Sequence, residues 1–171
     1  MTEHSDFPLQ QGSVDWLCSI YAALNILYLR GELKSVNEAS FKFAEILQRL
    51  ADHNYNIRYY VTQGVDPENI TDVLEISGIS KIKDHQDHKN EFVGKYENAK
   101  AYLLYLCDVE TNGIKYTHYT ISTAKTPSGA HLLYDSCGFA ELVPTGDGRF
   151  ILGDKHVEIN RAWKIPLNNA P

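Results

Sequence analysis

What the chain has little of narrows its chemistry before any motif is read. It has three cysteines in 171 residues. That is an odd number without metal-like spacing, which points away from a disulfide framework or a zinc module. Basic residues are also short: 16 Lys and Arg stand against 22 Asp and Glu, for a formal net charge of −6. They are scattered, and the densest group, around Lys81 and Lys83, is followed by acids. Binding to phosphate backbones needs a clustered cationic face, so no nucleic-acid partner is expected. No long hydrophobic run is present either. The longest, Trp16 to Leu29, is interrupted by Ser19 and Asn25 and is too short to cross a bilayer, so no membrane partner is expected. The stretch Met1-Thr2-Glu3-His4-Ser5-Asp6 is polar and acidic, unlike a signal or transit peptide. With reduced thiols, this gives an expectation of a cytoplasmic protein, compatible with leaderless export. There is no repeat, low-complexity tract or long linker.

What remains is an ordinary globular composition, 43% hydrophobic and 22% charged, in a length that suits one domain. From about Asp15 to Arg30, Leu17, Ile20, Tyr21, Leu24, Leu27 and Tyr28 recur at three- and four-residue spacing, predicting a helix with one apolar stripe. Ser13 or Asp15 suits its start and Gly31 its end. Ser35-Val36-Asn37-Glu38 reads as a capping box opening a second helix to about Leu50. Asp66-Pro67 opens a third, which stops near Gly78. Ala51 to Gly64 and the very polar Lys81 to Asn90 read as loops, the latter followed by a short helix. After Lys100 the pattern changes to strands: Ala101–Val109, Ile114–Ala124, Ala130–Asp135, then Glu141–Val143, Arg149–Leu152 and Arg161–Ile165. A helical part at about 13–99 followed by a sheet part at about 100–166 describes an α+β domain, with the apolar stripe lying on one face of an antiparallel sheet.

Three residues in this arrangement carry chemistry together. Cys18 lies in the first turn of the first helix, where amide groups and the helix dipole favour a thiolate. His118 lies mid-strand on one face with Ile114, Tyr116, Thr120 and Ser122, and Asp135 closes the next strand, where hairpin pairing brings it alongside. Taken singly, each has an ordinary explanation: a small core residue, a satisfied strand histidine, a turn-forming aspartate before Ser136-Cys137-Gly138. Together they supply a nucleophile, a base and an acid that orients the base.

The segments Gln11-Gly12-Ser13-Val14-Asp15-Trp16-Leu17-Cys18, Thr117-His118-Tyr119 and Leu133-Tyr134-Asp135-Ser136 resemble the papain-like cysteine peptidases, particularly small bacterial members such as the bacteriocin-processing peptidases. The chain order Cys, His, acid and the His-to-acid spacing match. The cysteine stands in Leu17-Cys18-Ser19 where papain has Cys-Gly-Ser-Cys-Trp, and the third position is Asp where papain has Asn. The resemblance implies a papain-like fold, a helical half with the nucleophile helix packed on a C-terminal antiparallel sheet. It also implies a cysteine hydrolase that cleaves a peptide or other amide bond through a covalent acyl-enzyme. Gln11 would donate to the oxyanion, with Gln10 as the alternative. No cofactor or metal is implied; the partners are a peptide or protein substrate and, for a regulated member, a regulatory or immunity protein.

Two other functions suit the same residues: a glutamine deamidase or transglutaminase-like effector, and a catalytically silent papain-like module that binds a peptide. Ammonia release would distinguish the former. The complete set Gln11, Cys18, His118 and Asp135 argues against the latter. Other features read as structural. His85 and His88 lack further ligands at a recognisable spacing and belong to a solvated loop. Cys107 sits in an apolar strand and reads as core, as Tyr55, Tyr59 and Tyr60 read as packing. His131 is the runner-up base. Cys137, two residues beyond Asp135, is placed for an oxidative or regulatory role.

Overall fold

The computed structural model describes residues 7–11, 17–79, 89–94, 101–108 and 117–167. Five helices precede six strands: α1 Cys18–Leu29, α2 Val36–Asp52, α3 Ile57–Gln63, α4 Ile70–Ile76 and α5 Lys89–Gly94, then β1 Ala101–Asp108, β2 Thr117–Lys125, β3 His131–Tyr134, β4 Glu141–Pro144, β5 Phe150–Leu152 and β6 Lys155–Ile165. Among the described residues no helix is long and apolar enough to cross a membrane.

Local chemistry accounts for most helix boundaries. Gly31, at φ 72°, ends α1. Its amide donates to the Tyr28 carbonyl at 2.8 Å while the Glu32 amide donates to Leu27 at 2.9 Å, the paired bonds of a Schellman motif. The Ser35 hydroxyl caps α2 by accepting from the Glu38 amide at 3.2 Å; the Glu38 carboxylate accepts from the Lys34 amide, one residue outside the expected box. The third helix starts later than Asp66-Pro67 predicts. That pair makes a turn, with the Asn69 amide on the Asp66 carbonyl, and α4 begins at Ile70. α3 occupies part of the segment read as a loop; Asn56 caps it by accepting from the Tyr59 amide at 3.0 Å. The Ser13 and Asp15 caps and the His85 and His88 loop lie outside the described residues.

α1 departs from a single-stripe helix. Its Ala22, Ala23, Asn25 and Ile26 are buried along with Ile20, Leu24 and Leu27, because β2 covers one side and α2 and α4 cover the other. A helix apolar on every side is a core element.

The sheet overturns the expected papain-like arrangement. All six strands pair antiparallel in sequence order and β6 returns to β1, closing a barrel. An open sheet under a helical half is therefore not the fold of this chain. The physical reason lies in β6. Its apolar alternation begins at Val157 and Ile159, so it extends N-terminal to the expected Arg161–Ile165, and Lys155 to Val157 pair with β5 while Val157 to Ile165 run along β1. A register shift between Tyr105 and Leu106 in the β1–β6 ladder, and another between Ser122 and Ala124 in β2–β3, provide the irregularities that help a small sheet curl.

Closure divides the apolar residues into two clusters. Tyr102, Leu104, Leu106, Leu142, Phe150, Leu152, Val157, Ile159 and Ala162 pack together with Phe92 of α5. Leu103, Tyr119, Ile121, Trp163 and Ile165, on the opposite strand faces, pack under α1 and the other helices. Phe92 is fully buried, edge-on to Tyr102 at 5.2 Å and stacked on His131 at 4.3 Å. Phe92→Ala should therefore lower the unfolding free energy by about 3–5 kcal/mol, as read by urea denaturation. Phe41→Ala, at a position 79% exposed, should change it by less than about 0.5 kcal/mol.

Candidate active site

Asp135 follows the last residue of β3, and its carboxylate organises the turn beyond it. Oδ1 accepts from the backbone amides of Cys137 at 2.7 Å and Phe139 at 3.3 Å. Oδ2 accepts from His118 Nε2, on the second residue of β2, at 2.6 Å. A carboxylate only accepts, so Nε2 carries hydrogen and Nδ1 is the nitrogen turned toward the Cys137 sulfur. The Cys137 sulfur lies 3.9 Å from Nδ1, and Cys18, at the start of α1, also hydrogen-bonds the His118 ring. Leu17 is the N-cap and offers no side-chain cap. The Ile20 and Tyr21 amides donate to the Leu17 carbonyl at 2.9 and 3.0 Å, and Cys18 stands at the first helical position, the positive end of the helix dipole.

The three residues singled out from the sequence thus meet. His118 is 2%, Asp135 1% and Cys18 7% exposed, whereas Cys137 is exposed and marks the solvent side of the group. Gln11 joins them: its amide donates to the Ser136 carbonyl at 2.7 Å and its side-chain oxygen is 3.9 Å from the Cys137 sulfur. Gln10 is exposed and its side-chain amide donates to the Pro8 carbonyl at 3.2 Å, which commits it to its own backbone. Two contacts were not legible beforehand: the Phe139 ring, edge-on to His118 at 6.1 Å, and the Asn25 oxygen, which pins the Leu9 amide at 2.9 Å and ties the segment before Gln11 to α1.

His131 lies elsewhere. It is buried between Phe92 and Phe150, and desolvation, helped by Lys125, lowers its pKa to about 4, so it is a neutral barrel residue. Cys107 is only half-buried and neighbours Tyr105, away from the core position expected of it.

Charge within the group follows from burial against pairing. Burial opposes a charged His118, but hydrogen bonds to Asp135, Cys137 and Cys18 and the Asp135 charge outweigh it, holding the imidazole well above its usual range. Burial likewise disfavours the Asp135 carboxylate, and His118, the Thr120 hydroxyl and the Cys137 amide reverse that, lowering its pKa.

Comparison with protein-family models, with curated proteins and with solved structures finds no match. Nothing in those comparisons places the chain among the papain-like peptidases.

The two shifts fix a pH signature. The raised His118 pKa gives a stabilisation fully present below the ordinary imidazole value of 6.5 and lost as pH rises through the folded-state value. The lowered Asp135 pKa gives one present above 3.8 and lost as pH falls through its folded-state value. Asp135→Ala, which strands a buried imidazolium, should cost about 3–5 kcal/mol between those limits. The difference from wild type in urea denaturation should shrink on both sides; a difference independent of pH would contradict the pairing.

Proposed function

We propose that this protein is a thiol hydrolase that cleaves a peptide or other amide bond through a covalent acyl-enzyme. The observation that carries the reading is the buried His118, with Nε2 on the Asp135 carboxylate at 2.6 Å and its ring hydrogen-bonded to Cys18 at the first turn of α1. In this reading Cys18 and His118 act as a thiolate–imidazolium pair, with the proton given up by Cys18 on His118 Nδ1. The thiolate attacks the carbonyl carbon and forms a tetrahedral intermediate. The backbone amide of Cys18 and the Gln11 carboxamide stabilise its oxyanion, an effect worth about 3 kcal/mol for one such donor. His118 passes its proton to the leaving amine, and the acyl group stays on sulfur until water, deprotonated by His118, releases it. Asp135 holds the ring in the required tautomer. Cys137, on a turn and outside the helix-terminal field, is not assigned the attack.

The first test needs no substrate. Iodoacetamide alkylation of Cys18, resolved from the other cysteines by peptide mass spectrometry, should depend on the imidazole beside it. His118→Ala should slow it at least tenfold. A rate untouched by His118→Ala would sink the proposal. With an amide substrate from a peptide library, Gln11→Ala should lower kcat by about 100-fold or more, while Cys18→Ala should abolish the acyl-enzyme seen by intact mass. Ammonia release from a glutamine side chain, in place of backbone cleavage, would assign the deamidase branch of the same chemistry.

A further inference from the structure

The solvent side of the His118 ring carries a sulfur that acyl transfer does not use. The Cys137 Sγ lies 3.9 Å from His118 Nδ1 and 3.9 Å from the Gln11 side-chain oxygen, so its hydrogen faces two acceptors. Cys137 is exposed, while the ring it meets is buried. Behind the ring, Asp135 Oδ2 accepts from Nε2 at 2.6 Å, and Asp135 Oδ1 accepts from the Cys137 amide at 2.7 Å. One carboxylate thus fixes both the base and the backbone of the thiol that the base faces. Oxidation of a thiol by a peroxide needs solvent access and a group that takes the thiol proton. Cys137 has both. Cys107, half-buried beside Tyr105 on β1, supplies an internal comparison.

We propose that Cys137 is a peroxide-reactive thiol, oxidised reversibly to a sulfenic acid with His118 as the proton carrier. The Cys137 proton passes to Nδ1, the sulfur attacks one oxygen of hydrogen peroxide, and the O–O bond breaks as the S–O bond forms. The departing hydroxide takes the proton from Nδ1 and leaves as water. Sulfur is oxidised and the peroxide is reduced by the same electron pair. Asp135 keeps Nε2 protonated throughout, so Nδ1 is the nitrogen that takes and returns the proton. A thiol reductant reverses the change: one thiol displaces the hydroxyl as water to give a mixed disulfide, and a second releases the Cys137 thiol and leaves as a disulfide. The sulfenic hydroxyl stands against the ring that the hydrolase reading gives to Cys18 as its base. Silencing of hydrolysis by peroxide therefore rests on that reading, while the oxidation of Cys137 does not.

The test treats the phosphine-reduced, desalted full chain with hydrogen peroxide in the presence of dimedone and reads each cysteine by peptide mass spectrometry. Cys137 should gain dimedone about tenfold faster than Cys107, and about tenfold faster than the same residue in the urea-unfolded chain. Unfolding adds access and removes the imidazole, so the second comparison needs no substitution. His118→Ala and Asp135→Asn should each bring native Cys137 labelling down to about the unfolded rate, with circular dichroism confirming that the variants fold. Dithiothreitol added after peroxide, without dimedone, should restore the intact mass of the reduced chain. A Cys137 that labels no faster folded than unfolded, or equally fast in folded His118→Ala, would overturn the proposal, as would a mass gain that dithiothreitol does not remove. Peroxide should also slow Cys18 alkylation in the wild type and not in Cys137→Ser; slowing that persists in Cys137→Ser would overturn the silencing alone. Cys18 alkylation indifferent to His118, beside Cys137 labelling that depends on it, would uphold the oxidation and overturn hydrolysis.

Discussion

The Asp135 carboxylate is a single buried anion on which three separate parts of the chain converge. One oxygen fixes the His118 ring from β2, the other gathers the amides of Cys137 and Phe139, and the Ser136 carbonyl within that same turn takes the Gln11 amide. A buried carboxylate is tolerated only where such partners replace water. The requirement works in both directions: the turn after β3 adopts its shape because the anion needs its amides, and the anion stays charged because the turn and the imidazole supply them. Removing it would leave a strand end, a turn and the N-terminal segment without the group that holds them in register.

The closed barrel gives that arrangement something firm to stand on. His118 is the second residue of β2, paired with Leu106 of β1, and β3 joins the other side of the strand three residues further on, at Ile121. On the other face of β2, Tyr119 and Ile121 pack under α1, the helix that begins with Cys18. One short stretch of strand therefore carries the histidine and packs against the helix that begins with Cys18. The distance between thiol and imidazole is a property of helix-on-strand packing rather than of any loop, and sites held by packed regular elements keep their geometry better than sites held by loops.

Much of this was legible residue by residue. The β-strand alternation around His118, the turn chemistry after Asp135 and the position of Cys18 at the start of an apolar helix each carry a local signal, and the meeting of His118 and Asp135 follows from hairpin pairing. The architecture was less legible, because closure depends on a few residues whose signal is weak. Val157 and Ile159 are the only apolar residues in Lys155–Asn160, and without them β6 reads as a short edge strand and the sheet as open. α1 misled in a different way: three- and four-residue spacing is visible, but small residues such as Ala22 and Ala23 do not reveal whether a second layer covers them. Cys137 was legible as a neighbour of Asp135, but its contact with the His118 ring was not, because only the turn around Asp135 brings its sulfur there.

At His118 burial and pairing oppose each other most directly. Burial disfavours the imidazolium, and the Asp135 carboxylate on Nε2 reverses that preference, so the ring holds a proton more strongly than a free imidazole does. The same pairing lowers the Asp135 pKa against its own burial, so each partner keeps its charge because the other is there. The Cys137 sulfur, exposed and 3.9 Å from Nδ1, is the point at which this buried pair meets solvent.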